Sequence, residues 1–471
     1  MALTKVSYSM IAGASLNVLD YGADNTGVSD STSAINAALT AAGAMTPTRG
    51  VVYIPTGKYI TTNTLNIPLG VTLTGEAGSW VNFLTDSRSC GTIIYSNHNG
   101  KTISLVSDGA EANSAGGGIL NIWVQCNYTL YPASIGVYVT GAQQVILQNV
   151  VVSRAATAFL LGDYNGGSPL FTSYITADNI YANGCYGVAF DVCGNWHRLD
   201  RCIADAYSGI GFRFRQVSFS DISNFHTEGP TSGGVLIGNG SSNNTFTGGY
   251  VNSDGAYGIR FLSDAGTALN SVADTYLVNG VPGAGTGIDF AGGLANVNYI
   301  NNCEINDFSI GVSDLGQSNI VSNNLFFGCV LDISSDASDS KYLFNRMQST
   351  SGSYSISHVG GTTGIWQGNT LDKPINPAVT GIAGNFNGIK VKDNLGYVTR
   401  NSGITPTTIV SGGTIAHGLA GAPTSFQVTP TVGGITSQAT ISAVSSTTMT
   451  VSWSGTANVQ FAWSANLPCD P

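Results

Sequence analysis

Apolar side chains recur along this chain in three rhythms, and each predicts a different element. Between Asp30 and Leu39, the residues Ala34, Ile35, Ala38 and Leu39 fall at the i, i+3, i+4 spacing of one buried helix face. Asp30 or Ser31 is placed to accept from the free N–H groups at the helix start. Leu16–Ala23 before it and Val51–Ile54 after it are strand-like, the second β-branched and aromatic and closed by Pro55 and Gly57. Strand, capped helix and strand over residues 1–75 predict a cap laid across the open end of a sheet, hiding an edge otherwise free to aggregate.

The second rhythm starts near residue 130. A glycine followed by alternating apolar positions returns as Gly136-Val-Tyr-Val, Gly187-Val-Ala-Phe, Gly211-Phe-Arg-Phe, Gly234-Val-Leu-Ile, Gly258-Ile-Arg-Phe, Gly287-Ile-Asp-Phe and Gly311-Val-Ser-Asp. From Gly187 onward the steps are 24, 23, 24, 29 and 24 residues, a period that marks a solenoid. Short alternating runs such as Val145–Val152 and Asp178–Asn183 lie between the phrases. Each repeat is therefore two or three short strands, with Gly and Asn expected at corners where left-handed backbone is least costly. One coil cannot bury its inward face alone, so stacked coils share a core. Insertions at 108–118, 162–169 and 279–286 break the period, and such loops often build a solenoid's binding face.

The period fades near residue 350. A Pro- and Gly-bearing stretch at 372–402 reads as a linker, leaving the solenoid at 76–371. The third rhythm follows at 403–471: strand-like runs at 407–410, 414–417, 425–430, 439–443, 448–453 and 459–463, spaced as in a small β-sandwich.

Composition narrows the function classes. Only 9% of the 471 residues are charged and 61 are Gly, which suits many turns and few long amphipathic helices. A net charge of −10 argues against a nucleic-acid partner. No eighteen-residue apolar run offers membrane insertion, and the N-terminus lacks a Sec-type leader pattern. The eight cysteines are scattered without a C-x-x-C pair, which disfavours a zinc site and predicts buried free thiols in a chain made in a reducing cytosol.

Val18-Leu-Asp-Tyr-Gly-Ala-Asp24, Asp30-Ser-Thr-Ser-Ala-Ile-Asn36 and Val52-Tyr-Ile-Pro-Thr-Gly-Lys-Tyr59 resemble the N-terminal cap of the pectate-lyase-like superfamily. Thr4–Ile11 is similar to the lead-in of bacteriophage tailspikes in that superfamily. The resemblance covers roughly the first seventy-five residues and implies an all-β, right-handed parallel β-helix with a small C-terminal trimerisation or tip domain. It also implies a homotrimer on a virion tail, synthesised in the host cytoplasm and acting at the host cell surface. The expected ligand is a bacterial surface polysaccharide, capsule or O-antigen, which the protein binds and depolymerises. With no obvious anchoring domain before Leu16, attachment would fall to other virion tail proteins or to a segment outside this sequence. Lyases, hydrolases, epimerases and non-catalytic binders all share this fold, so the chemistry must come from the site.

Alignment of coils on their glycine phrases stacks side chains. Asp205 precedes Gly211 by six residues, Glu228 precedes Gly234 by six, and Asn252 precedes Gly258 by six. Strand alternation then points Cys202, Ala204, Phe225 and Thr227 inward, and Arg201, Ile203, Asp205, Asn224, His226 and Glu228 outward. Asp205 and Glu228 are expected side by side, about 4.8 Å apart along the stack, flanked by Arg201 and His226. Two adjacent carboxylates raise one pKa and supply an acid beside a nucleophile or base, as glycoside hydrolysis requires. A solvated acidic pair on a polar face is the plain alternative.

Other candidates are weaker. Asp200 and Asp178 stack at a strand start, where corner capping is the simpler role. Asp254, in Asn252-Ser-Asp-Gly255, is similar to part of the Asn-Thr-Asp motif of polygalacturonases, whose companion motifs are absent. Glu304 is placed to face outward and hold a sugar hydroxyl, and Tyr181, Trp196 and Tyr250 are placed to stack on sugar rings. A lyase of this fold would need calcium and an arginine, for which Arg201, Arg213, Arg215 or His226 could serve, although no Asp triad is legible. A hydrolase would need no cofactor, and no metal site is read from the sequence. A non-catalytic receptor-binding spike is the remaining alternative.

Overall fold

One coil shows how the sequence makes the architecture. Asp221–Ser223, His226–Glu228 and Gly233–Gly238 are three short strands. Each pairs in parallel with the next coil, Asp221 beside Thr245, His226 beside Tyr250 and Val235 beside Ile259. Ile222, Phe225, Thr227, Val235 and Ile237 are buried inside, and the residues between them face out. Coils repeat at strand spacing, so like side chains stack: the rings of Phe159, Phe190 and Phe212 lie parallel at 4.9 and 4.6 Å. Each such pair contributes about 1 kcal/mol beyond its buried area.

The structure is a computed structural model. It describes residues 15–45, 50–76, 91–106, 115–164, 172–206, 208–349, 355–358, 363–372, 375–376, 389–396, 400–432, 438–455 and 458–467. The fold is a right-handed parallel β-helix of about 12 turns, with additional antiparallel sheets at the C-terminus. The chain divides into two compact units, residues 1–289 and 290–471.

In the first unit, helix α1 (Thr32–Gly43) buries Ala34, Ile35, Ala38 and Leu39 as its pattern requires. Asp30 provides the cap, its Oδ1 accepting from the Thr32 backbone and hydroxyl, whereas Ser31 makes no side-chain cap bond. The expected strand at Leu16–Ala23 is shorter than its pattern. Leu16–Asn17 pairs with Val52 and Tyr53, then Val18–Tyr21 winds into a 3-10 turn stopped by left-handed Gly22. A further coil, Thr157–Leu161, lies between those led by Gly136 and Gly187; it lacks the glycine and so escaped the period.

The repeated glycines are not corner residues. Gly234 sits within its strand, and a Cβ there would lie 2.6 Å from both Val251 Cγ1 and the Gly258 carbonyl oxygen. Close approach of neighbouring backbone selects glycine here. The left-handed corners belong to two other series. One contains Asn121, Asn149, Asn179, Arg201 and Asn224, all at positive φ, and Asn179 and Asn149 each donate to the asparagine of the preceding coil. The other contains Tyr174, Trp196 and Phe219, bulky residues for which this backbone costs about 1–2 kcal/mol each.

In the second unit the coils continue past the apparent fading of the period. Ser340–Leu343, Gly364–Gln367 and Ile389–Lys392 pair in succession, the last of them inside the stretch read as a linker. Buried asparagines supply the continuity. Asn345 Oδ1 accepts from both the backbone N–H and Nδ2 of Asn324, while the Asn345 amide and side chain donate to Asn369 Oδ1 and Val321 O. Two three-stranded antiparallel sheets follow, Arg400–Ile404 with Gln460–Asn466 and Ser425–Val432, and Gly413–Ala416 with Thr448–Ser452 and Thr440–Val444. They bury Met449, Val451, Val459 and Phe461. Arg400–Ile404, whose first three residues fall in the stretch read as a linker, is a strand of the first sheet, whereas the run at 407–410 contributes a bridge from Ile409 to Val459.

Candidate active site

Strand Arg198–Ala206 buries Cys202 and Ala204, which turns Ile203 and Asp205 outward. The next coil buries Phe225 and Thr227 and turns out His226 and Glu228. Register then builds two rows on one face. Asn183, Asp205, Glu228 and Asn252 are successive partners in one row. Tyr181, Ile203, His226, Tyr250 and Tyr276 are successive partners in the other. Adjacent rungs are about 4.8 Å apart, so Asp205 and Glu228 are side by side.

The two carboxylates have different surroundings. Asp205 is half-buried, and burial raises its pKa. The neighbouring Glu228 charge adds to the rise, while the Tyr181 hydroxyl and His226 oppose it. Tyr181 donates to Asp205 Oδ2 at 3.2 Å and is itself held by Asn183 Nδ2 at 2.8 Å. Glu228 is 61% exposed, and its Oε2 lies 3.1 Å from His226 Nε2. Tyr250 packs on the His226 ring at 4.7 Å and on Tyr276 at 5.6 Å, closing a wall of rings beside the acids. A shielded acid beside a solvated carboxylate is an arrangement that can divide proton donation from nucleophilic or base work.

Arg201 does not flank this pair. Its left-handed corner position (φ 52°) turns it to Asp178, with Nε at 2.9 Å, and to Asp200 at 3.6 Å. Asp178 and Asp200 are register partners at that corner. Asp200 Oδ1 accepts from Asn224 Nδ2 and Ser223 Oγ. Partial burial pushes the Asp200 carboxyl up, but those bonds and the nearby arginines prevail and hold it below its usual value. Trp196 is at the other corner, half-exposed between Tyr174 at 5.3 Å and Phe219 at 6.0 Å, so both of its faces meet rings. Asp254 is exposed just past the strand Tyr250–Ser253, two residues beyond Asn252. Glu304, in the second unit, accepts from Asn306 Nδ2 at 2.9 Å.

Two members of the site are not singled out by the sequence pattern. Tyr276 was hidden because the insertion at 279–286 displaces its coil from the glycine register. Asn252 follows the six-residue rule, but its chemistry shows only in the fold: Oδ1 is buried without a hydrogen-bond partner beside the Glu228 rung. Among the described residues no three His, Cys, Asp or Glu side chains form a metal-holding group, and no helix is long and apolar enough to cross a membrane. Six cysteines, Cys126, Cys185, Cys193, Cys202, Cys303 and Cys329, are free and buried; Cys90 and Cys469 lie outside the described residues.

Comparison with known proteins agrees with this architecture. Residues 15–153 match the family model described as rhamnogalacturonase A/epimerase, pectate lyase-like. No curated relative matches the chain by sequence. Among solved structures, the Pseudomonas phage phi297 tailspike gp61 superposes with a TM-score of 0.54 at 11% identity, over 97% of this chain and 99% of that one. The Dettilon tailspike gp208 gives 0.50 at 12%, over 96% and 94%. The A-module of the Azotobacter vinelandii mannuronan C-5 epimerase AlgE6 gives 0.53 at 16%, over 81% and 98%. At these identities the likeness is one of fold, and the right-handed parallel β-helix expected from the first seventy-five residues is the fold observed.

Proposed function

We propose that this protein is a phage tailspike-like depolymerase that cleaves a bacterial surface polysaccharide by glycoside hydrolysis. The observation that carries the reading is the Asp205–Glu228 rung pair: outward-facing, on adjacent coils, one carboxyl shielded and raised, the other solvated. Asp205, whose pKa is raised by burial and by the Glu228 charge, donates its proton to the departing glycosidic oxygen. Glu228, oriented by His226, attacks the anomeric carbon or activates water. Adjacent-coil spacing favours direct attack, since retaining enzymes hold their carboxyls about 5–5.5 Å apart and inverting ones further. The ring wall of Tyr250 and Tyr276 holds the sugar. The protein works as a homotrimer on a virion tail, outside the host cell, with other tail proteins attaching it to the particle.

The test compares the unaltered protein with Asp205→Asn and Glu228→Gln on a panel of capsular and O-antigen polysaccharides, following new reducing ends, ultraviolet-absorbing unsaturated ends and oligomeric state. Reducing ends without unsaturation, lost in both variants with assembly intact, is the expected result. Unsaturated products would replace hydrolysis by elimination. Full activity in both variants would move the chemistry elsewhere. Tight binding without cleavage by the unaltered protein would make it a receptor-binding spike.

A further inference from the structure

A second polar cluster stands on a different sheet of the same unit. Strands Val188–Asn195, Ile210–Ser218, Gly233–Gly238 and Tyr257–Phe261 pair so that Asp191, Arg213, Leu236 and Arg260 are successive rungs. Asp191 is 2% exposed, and its carboxylate is fully engaged. Arg213 NH2 meets Oδ2 at 2.5 Å, and Arg215 grips both oxygens at 2.9 and 2.6 Å. One coil further than Leu236, Arg260 gives its Nε to Asp289 at 2.7 Å, with its guanidinium 4.3 Å over the Tyr257 ring. Arg213 and Arg260 are two rungs apart, about 10 Å, and both act on the Tyr257 phenol.

Three guanidiniums are held in ion pairs by two carboxylates here, a concentration of arginine in a chain whose net charge is −10. The arginines are anchored but not used up. Arg213 Nε is buried with no partner, and Arg260 commits only Nε, so N–H groups remain on both. Their side chains are about one-third exposed, at 30% and 33%. Arg215 lies 5.1 Å over the ring of Tyr164, whose hydroxyl accepts from Asn239, which walls the cluster on one side. Beyond it Asp163 accepts from the Tyr138 hydroxyl, and Asp264 from the backbone of Asn239 and Gly240, so neither is an ion-pair partner of the arginines.

We infer that this cluster is a binding site for a carboxylate-bearing sugar residue, separate from the Asp205–Glu228 face. Guanidinium forks fixed by buried carboxylates match the planar, bidentate geometry of a uronate carboxylate, and their fixed orientation lowers the entropy lost on binding. The inference rests on the polysaccharide reading above and deepens it: the polymer carries acidic units, and one of them docks on this sheet.

The test measures binding of the full protein to a panel of acidic and neutral bacterial surface polysaccharides at low and high salt. The variants are Arg260→Gln, Arg260→Lys and Arg213→Gln. The expected result is retention of uronate-containing polymers only, weakened by salt. Arg260→Gln should weaken binding roughly ten- to a hundred-fold, with Arg260→Lys in between, since a point charge restores attraction but not the fork. Arg260 is the informative position because Asp191 keeps both its partners there. Retention on immobilised polymer does not depend on cleavage, so its failure is distinct from failure of the hydrolase reading. Retention of neutral polymers alone, retention of sulfated or phosphorylated polymers in place of uronates, no retention of any acidic polymer, or equal binding by Arg260→Gln would overturn the inference.

Discussion

Tyr181 reaches across one coil to donate its hydroxyl to Asp205 Oδ2 at 3.2 Å, and Asn183 pins that hydroxyl from its other side. The bond favours the ionised carboxylate, so it works against the burial that raises the Asp205 pKa. Removing it therefore makes Asp205 a weaker acid. Tyr181→Phe is expected to shift the alkaline limb of the activity profile to higher pH and to lower kcat by roughly ten-fold through looser positioning. Tyr181 is a positioning residue in this reading. A pH–rate profile checks it: an unmoved alkaline limb, or a limb moved to lower pH, would show that Asp205 is not the titrating acid.

The face that holds this bond was legible because parallel coils obey simple counting. Glycine spacing of 24 and 23 residues around Gly211 and Gly234 gave the Asp205–Glu228 rung correctly, and strand alternation gave the inward set Cys202, Ala204, Phe225 and Thr227. What counting could not give was direction at corners. Arg201 follows outward-facing Asp200, yet its left-handed backbone swings it away from Asp205 toward Asp178. Trp196 and Phe219 occupy the same kind of corner against all local preference, so their face-to-face stack is invisible without the fold.

His197 is wholly enclosed, with Nδ1 accepting from the Ile175 N–H at 3.2 Å and Nε2 donating to the Cys193 carbonyl at 3.2 Å. Burial disfavours the imidazolium and pulls its pKa from 6.5 down to about 4. The unfolded chain therefore takes up a proton near pH 6.5 that the folded one refuses until about pH 4. Stability from this group is complete above pH 6.5 and is lost as pH falls toward 4, by up to about 3 kcal/mol. His197→Asn should be less stable at pH 7.5 but lose less on acidification through that window. Chemical denaturation at several pH values checks it, and parallel curves for the two proteins would refute the assignment.

Gly234 illustrates a constraint that sequence reading assigned to the wrong cause. Its φ needs no glycine; the space around it does, with Val251 Cγ1 and the Gly258 carbonyl each 2.6 Å from where a Cβ would stand. Both neighbours belong to the adjoining stack and cannot withdraw without moving a strand. Gly234→Ala is expected to cost about 2 kcal/mol by overpacking. Equilibrium unfolding measures this directly, and a loss below about 0.5 kcal/mol, the range of a neutral surface change, would mean that the coil yields.

The fading of the glycine period near residue 350 misled because a second device, already present at Asn244 and Asn270, continues where the glycines stop. There the register is carried by asparagine, whose short amide satisfies buried backbone from one coil to the next. Asn345 is the middle rung. Replacing it by Ala would strip acceptors from the Asn324 N–H and Nδ2 and a donor from the Val321 carbonyl, all buried. Orphaned buried groups cost about 1–3 kcal/mol each, so Asn345→Ala should lose at least about 3 kcal/mol. Asn345→Asp keeps the acceptor but removes the amide donor and buries a charge, and it should be no better near neutral pH. By contrast Asn401, at the chain's antiparallel end, is exposed; its Nδ2 donates to the His417 carbonyl and its Oδ1 accepts from the adjacent Ser402 N–H, which solvent can replace. Asn401→Ala should cost under about 1 kcal/mol. Thermal unfolding of the three variants side by side tests the ladder, and equal losses at Asn345 and Asn401 would show that stacking, not the amide chain, holds the coils in register.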